Sequence, residues 1–139
     1  MAVITLTEML GLSRLDAMSL VTEVEHGLSL VALDRLASAV APGDASFPFR
    51  LVPRATLARR RKQTAARMSA DESARVARLA EVWTLSCQVW GSEDAARGFL
   101  FRPHAMLEGR RPIEVVLANE FGRPLVDGIL GRLQYGAAA

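Results

Sequence analysis

The chain has 139 residues, of which 50% are hydrophobic and 23% are charged. This composition supplies enough apolar material for the cores of one or two small domains and excludes a disordered tail. The longest run without Asp, Glu, Lys or Arg covers residues 82–92, far short of the roughly 18 apolar residues that a membrane span requires. The N-terminus lacks a basic region and reaches Glu8 before a secretory signal could form, so we expect a cytoplasmic protein without membrane contact.

The cysteine and histidine content disfavours an enzyme. A single cysteine, Cys87, excludes a disulfide framework, and only His26 and His104 could join it in binding zinc. We expect Cys87 to be a core residue, His26 to end a helix and His104 to form a hydrogen-bonded elbow in a loop. Glycine-rich phosphate loops are missing from the sequence. The sequence therefore predicts no catalytic residue, no metal site and no cofactor.

Basic charge is concentrated in one segment of the chain. The formal net charge is only +2, but residues 50–67 hold seven basic side chains and no acidic one. Residues 1–69 carry nine basic and six acidic side chains, whereas residues 70–139 carry eight and nine. A local excess of this kind is typical of a nucleic-acid contact or of a solvated polybasic helix, and both interpretations stay open.

Helix-capping signals recur along the chain, while the alternation of apolar and polar residues that is typical of strands is rare. The fold is therefore predicted to be mainly α. Asp16 begins a helix that ends at Gly27. Ser29 begins a second helix, which ends before Pro42. The residues expected to face the core are Met18, Val21 and Val24 in the first helix, and Val31, Leu33, Leu36, Ala37 and Val40 in the second. From Pro42 to Pro53 we predict a loop or one irregular turn.

A basic helix is predicted after Pro53, because a proline suits the first turn of a helix. If it spans residues 54–67 and pairs with the helix over residues 30–40, it forms the second helix of a helix-turn-helix domain and enters the major groove. The candidate contacts to phosphates and base edges are Arg54, Thr56, Arg59, Arg60, Arg61 and Lys62. The prolines before this helix count against a standard motif, since the first helix of the pair would have to fit there.

A second domain is predicted from residue 69 onwards. Ser69 and Glu72 have the spacing of a capping box, and the helix they open carries a broad apolar stripe that ends at Gly91. Ser92 begins the next helix and Pro112 another. We therefore expect a helix-turn-helix-like domain over residues 1–68 and a small helical domain over residues 69–139.

The last predicted helix runs from Leu125 to about Tyr135. Gly128 and Gly131 each cost up to about 1 kcal/mol of helix propensity relative to alanine, and we expect them to allow close approach of another element. An uncharged, slim segment of glycine and alanine follows at residues 136–139. It is either a frayed end or a segment that enters a narrow pocket.

Several short motifs of the second half occur together in a characteristic order. They are MSADES (68–73), RLA (78–80), VWG (89–91), AARGFL (95–100), PHAML (103–107), GRRP (109–112) and LGRLQYG (130–136). In order and spacing the segment resembles the Xre/ParS-type antitoxins, whose C-terminal toxin-binding domain neutralises toxins that carry a RES domain. The first half resembles the helix-turn-helix domain of many members through GLS (27–29), ALDRL (32–36) and RATLARRR (54–61). It departs from them over residues 41–52, where the family has a short helix.

The resemblance implies the antitoxin of a type II toxin–antitoxin module. RES toxins are similar to ADP-ribosyltransferases and either consume NAD or transfer ADP-ribose from it, and the C-terminal end of the antitoxin blocks the NAD-binding cleft. The residues that this implies for toxin binding are Arg132, Leu133, Gln134, Tyr135, Gly136, Ala137, Ala138 and Ala139. The partners implied are the cognate RES toxin and operator DNA, with the antitoxin acting as a homodimer that represses its own operon.

Two other interpretations remain open at the level of sequence. The chain could be a stand-alone helix-turn-helix regulator whose second domain serves dimerisation or another partner. An enzyme is a remote third interpretation. Arg132 could meet toxin carboxylates or stabilise the end of its own helix, and Arg111, next to Pro112, is expected to be structural.

Overall fold

The computed structural model describes residues 5–14 and 16–136. Within those residues the chain forms eight α-helices, two short 3-10 turns and no strand, which confirms the mainly α prediction. The helices are α1 (Leu6–Leu10), α2 (Ala17–His26), α3 (Leu30–Val40), α4 (Arg54–Arg61), α5 (Ala70–Trp90), α6 (Glu93–Phe101), α7 (Pro112–Ala118) and α8 (Gly122–Gln134). The 3-10 turns are Phe47–Arg50 and Ala105–Leu107. In this part of the chain no helix combines the length and the apolar character needed to cross a membrane.

The predicted helix starts are confirmed by their hydrogen bonds. The side chains of Asp16, Ser29 and Ser92 each accept a hydrogen bond from a backbone N–H two or three residues later, at 2.8 to 3.2 Å. The capping box at the start of α5 is complete, because Ser69 Oγ accepts from the N–H of Glu72 at 3.1 Å and Glu72 Oε1 accepts from the N–H of Ser69 at 2.8 Å. These bonds satisfy N–H groups that have no partner inside their helix.

The chain divides into two compact units, Met1–Ala80 and Glu81–Ala139. The first turns of α5 are tied into the first unit, since Ser73 Oγ accepts from the N–H of Leu28 at 2.8 Å and Arg75 Nη1 donates to the carbonyl of Leu51 at 2.6 Å. The predicted boundary between residues 68 and 69 lies at the start of α5, whereas the division between the compact units falls between Ala80 and Glu81, within this helix.

The core of the first unit is built on α3. Leu33, Leu36 and Val40 are fully buried, and they follow the spacing of one helix face. The prediction that Val31 belongs to this core is wrong, because its side chain is 51% exposed. The prediction is also wrong for Met18 and Val21 in α2, which are 68% and 49% exposed.

The basic helix is shorter than predicted. It was expected over residues 54–67, but α4 ends at Arg61, and the chain turns at Ala65 with a φ of +51°. The following residues pair with the segment before α3 through an isolated bridge between Ser29 and Arg67. Gly27 is needed there, because its φ is +92° and a Cβ would collide with the carbonyl of Met68.

In the second unit, α7 packs against α8. Its fully buried side chains include Trp83, Leu100, Ile113 and Leu130. Gly122, the first residue of α8, lies against the main chain of α7, and a Cβ at this position would collide with the carbonyl of Val115.

The structure corrects the predicted start of α8 and shows that its two inner glycines lie in open space. The helix begins at Gly122 rather than Leu125. Gly128 and Gly131 do not provide close packing within the described residues, since no atom lies within 4 Å of a Cβ built on either glycine. Close packing inside the unit depends on Gly122 instead.

Candidate functional sites

The six predicted DNA-contact residues of the α4 segment fall on two sides. Thr56, Arg59 and Lys62 follow at intervals of three and therefore lie along one edge. Arg59 and Lys62 are exposed, whereas Thr56 is half-buried. Across the described residues neither Arg59 nor Lys62 has an ion-pair partner. This edge presents two free cations to a ligand.

Arg60 and Arg61 instead bind acidic residues of the same unit, because they share a helix face with the buried Leu57. Arg60 forms an ion pair with Glu72 of α5, in which the two side chains are 16% and 12% exposed. Arg61 binds Asp34 of α3 through two hydrogen bonds of 2.8 and 3.1 Å. Both arginines are therefore paired within the first unit, Arg60 in a mostly buried ion pair and Arg61 in one whose side chains are 45% and 49% exposed.

The environment of Glu72 keeps its carboxylate ionised. Burial alone would raise its pKa, but hydrogen bonds from Arg60 and from Ser69 outweigh that effect and lower the pKa below its ordinary value of 4.5. Glu72 and Asp34 were not predicted as neighbours of the basic helix. They are 12 and 27 residues away from their arginines, and no local sequence signal links partners at such separations.

Arg54 is held at the start of α4 by an aromatic ring. Its guanidinium carbon lies 3.9 Å from the ring centroid of Phe49, a cation–π contact. Phe49 belongs to the 3-10 turn Phe47–Arg50, which precedes α4 by three residues. This turn confirms the irregular segment predicted before the basic helix, and it stands where an ordinary helix-turn-helix pair has its first helix.

The C-terminal candidate segment begins in the last turn of α8. Arg132 is exposed, and its Nη1 lies 3.4 Å from the sulfur of Met106. Leu133 is half-buried and Gln134 is exposed. Tyr135 is 84% exposed, and Gly136 has a φ of +79°. The remaining predicted contacts, Ala137, Ala138 and Ala139, lie outside the described residues.

An open cavity of about 360 Å³ adjoins this segment and is bordered by Leu133. Its aromatic wall contains Trp90 and Phe99, whose ring centroids are 5.7 Å apart. His104 closes one side and forms the predicted elbow, since its Nδ1 accepts from the N–H of Met106 at 3.1 Å.

The groups with catalytic potential are in structural positions. Burial raises the pKa of the Cys87 thiol to about 11, so the thiolate needed for nucleophilic attack is scarce at neutral pH. Arg111 binds Glu114 within the first turn of α7, as expected for a structural residue. No cluster of metal-ligating side chains occurs in residues 5–14 and 16–136.

Two protein-family models match the chain. The antitoxin Xre-like helix-turn-helix domain matches residues 19–81, and the antitoxin Xre/MbcA/ParS C-terminal toxin-binding domain matches residues 88–136. No curated protein matches the chain. The helix-turn-helix domain implies DNA binding, and the second domain implies a toxin partner. Both families are regulatory or inhibitor domains rather than enzymes, which rules against the interpretation as an enzyme. The chain is an Xre/MbcA/ParS antitoxin, with an Xre-like helix-turn-helix domain followed by a toxin-binding domain.

Proposed function

We propose that this antitoxin neutralises a RES-domain toxin in the cytoplasm by occupying its NAD-binding cleft. The proposed contact segment consists of Arg132, Leu133, Gln134, Tyr135, Gly136, Ala137, Ala138 and Ala139. The RES identity of the toxin rests on the motif order described above, because the toxin-binding family model names no toxin class.

The exposure of Tyr135 carries this proposal. A large aromatic side chain that is 84% exposed at the end of a helix contributes little to the stability of its own unit. In a cleft, the same ring supplies a large contact area, and its hydroxyl can form a hydrogen bond. Residues 133–139 have no charged side chain, so their side chains can enter a narrow site without the cost of desolvating a charge.

A truncation after Leu133 tests the proposal. The shortened antitoxin should fail to rescue cells from the cognate toxin and should no longer inhibit NAD consumption by the purified toxin. Tyr135→Ala should weaken inhibition about tenfold or more, as for an aromatic anchor. Tyr135→Phe keeps the ring and is the matched control for the hydroxyl. If the truncated chain inhibits the toxin as well as the full chain does, residues 134–139 are not the segment that blocks the cleft.

We also propose that the first domain represses the antitoxin's own operon through the exposed edge of α4. Support comes from the free cations of Arg59 and Lys62, from Thr56 on the same edge, and from Arg54, which is held in place by Phe49. Arg60 and Arg61 support the helix and contribute only to the surrounding potential. A salt titration of operator binding distinguishes these two groups of residues.

A homodimer would suit a palindromic operator, because the two-fold symmetry of the protein then matches that of the site. Unpartnered apolar side chains in the first unit support a dimer, since Met18, Val21 and Val31 are all about half exposed or more. The double variant Met18→Glu with Val21→Glu should convert a dimer into a monomer in light scattering, with the helix content unchanged. A dimer that survives this change uses another surface.

A further inference from the structure

One face of α8 is exposed along its whole length. Phe121, at the N-terminal boundary of the helix, is 77% exposed and Leu125 is 59% exposed. Gly128 and Arg132 are also exposed, and the face ends at Tyr135, which is 84% exposed. These five residues are spaced by four, three, four and three positions, so they form one stripe on a helix. We call them the α8 stripe.

The α8 stripe is separate from the face that packs in the second unit. The buried side chains of α8 are Val126, Ile129 and Leu130, which lie on another side of the helix. On the remaining flank, Arg123 binds Glu81 at 2.5 Å and Asp127 at 3.1 Å, so the charges there are already paired. The stripe itself is apolar apart from the cation of Arg132 and the hydroxyl of Tyr135.

The glycine in the middle of the stripe has no role within the described fold. A Cβ on Gly128 would meet no atom within 4 Å, yet a glycine inside a helix lowers its stability relative to alanine. A missing side chain between two exposed apolar groups and an exposed tyrosine lets another backbone approach the helix closely. Scattered exposed hydrophobic residues need no explanation, but an aligned set on one helix face is typical of an interface.

We propose that the α8 stripe docks onto the toxin, so that the interface extends from the C-terminal segment back along the whole of α8. The occupant is assigned to the toxin because the stripe runs directly into Tyr135 and lies within residues 88–136, the range matched by the toxin-binding family model. The toxin surface that would fit the α8 stripe is apolar and has an acidic group near Arg132. Its main chain approaches Gly128. This inference rests on the proposed toxin-binding function.

The test compares two glycines of the same helix. Gly128→Gln introduces a side chain into the stripe, and Gly131→Gln makes the same change about 60° around the helix axis, where a Cβ also meets no atom within 4 Å. Both variants should melt at or above the temperature of the unchanged protein, because glutamine favours a helix more than glycine does. Binding of the full-length antitoxin to its cognate toxin, purified in a catalytically inactive form, is measured by calorimetry.

The expected result is a loss of affinity of about tenfold or more for Gly128→Gln and less than about twofold for Gly131→Gln. Leu125→Asp, at an exposed position, should weaken binding at least as much as Gly128→Gln. If the unchanged protein binds the toxin and Gly128→Gln binds equally well, the docking stripe is overturned while the cleft-blocking segment stands. If the unchanged protein binds no toxin, the proposed function itself is overturned.

A second copy of the chain is the competing occupant, and the same variants identify it. Light scattering of the free antitoxin is recorded beside the toxin titration. If Gly128→Gln turns a dimer into a monomer and leaves the affinity for toxin unchanged, the stripe is a contact between antitoxin copies and the proposal is wrong. An unchanged oligomeric state together with weakened toxin binding supports the assignment to the toxin.

Discussion

The basic helix α4 and the last helix α8 of this antitoxin show two different relations between sequence and structure. They differ in which side chains the sequence makes prominent and which side chains stay exposed or unpaired after folding. Residues 50–67 stand out through seven basic side chains, yet Arg60 and Arg61 are bound by acids of neighbouring helices. In α8 the sequence draws attention to the glycines and to the C-terminal turn, yet Leu125 and the preceding Phe121 also remain exposed, on an aligned face. Local charge density therefore overstates the number of free cations on α4, whereas the exposed apolar face of α8 becomes visible only in the folded chain.

The sharpest test of this contrast is Gly122→Ala, which probes the packed side of α8. The new Cβ would collide with the carbonyl of Val115, and a main-chain atom cannot move away cheaply. We expect a loss of about 3 kcal/mol in the free energy of unfolding, measured by urea denaturation of the full chain. Gly128→Ala is the matched control and should gain up to about 1 kcal/mol. Equal effects at the two glycines would mean that the two faces of α8 do not differ.

Arg60→Ala should have the next largest effect, and it acts on stability rather than on DNA. The change leaves the Glu72 carboxylate, which is only 12% exposed, without its cation. We expect a loss of about 2 kcal/mol, because breaking a mostly buried pair is more costly than removing an exposed charge. Arg59→Ala, at an exposed position, should change stability by less than about 0.5 kcal/mol. A similar loss for both variants would show that Arg60 has no special structural role.

The double variant Arg59→Ala with Lys62→Ala should act on DNA and spare the fold. If each cation meets one phosphate, the slope of log affinity against log salt becomes shallower by about 2, and operator affinity falls about tenfold at moderate salt. Fluorescence anisotropy with operator DNA at several salt concentrations measures both. Arg61→Ala is the comparison, because its bond to Asp34 is half exposed and predicts a loss of stability below about 1 kcal/mol with a nearly unchanged salt slope. If Arg61→Ala made the salt slope shallower and the double variant left it unchanged, then Arg61 would contact DNA and Arg59 and Lys62 would not.

The smallest expected effect is the contribution of Glu72 to the loss of stability in acid. The pKa of Glu72 is lowered in the folded protein from its ordinary value of 4.5, so its contribution to stability is complete above that value. It is lost as the pH falls through the lowered pKa. Melting temperatures recorded from about pH 7 to pH 3 should fall less steeply for Glu72→Gln than for the unchanged protein. Other carboxylates titrate in both proteins, so parallel curves would remove Glu72 as a contributor.

The helix starts could be predicted because their chemistry is local. Asp16, Ser29 and Ser92 bond to N–H groups no more than three residues away, and the same holds for the box of Ser69 and Glu72. The turn before α4 follows from its prolines. Burial on α3 was also predictable in most positions, because an apolar stripe on a helix is visible as a period in the sequence.

The partners of Arg60 and Arg61 could not be predicted, because they depend on how helices pack. Whether Val31 or Leu33 faces the core is decided by which side of α3 the neighbouring helices cover. The packing role of Gly122 depends in the same way on the path of α7. The spacing of the α8 stripe is present in the sequence, but only its exposure distinguishes it from a second core face.

The first turn of α5 has a consequence for the order in which the protein matures during synthesis. Leu28, Leu51 and Arg60 are each held by a residue of this turn and the next, namely Ser73, Arg75 and Glu72. A ribosome releases α4 before it releases these partners. The nascent chain therefore cannot complete these three contacts until the start of α5 has emerged. The proposed DNA-contact helix is thus fixed only when translation has already reached the helix that leads into the toxin-binding domain.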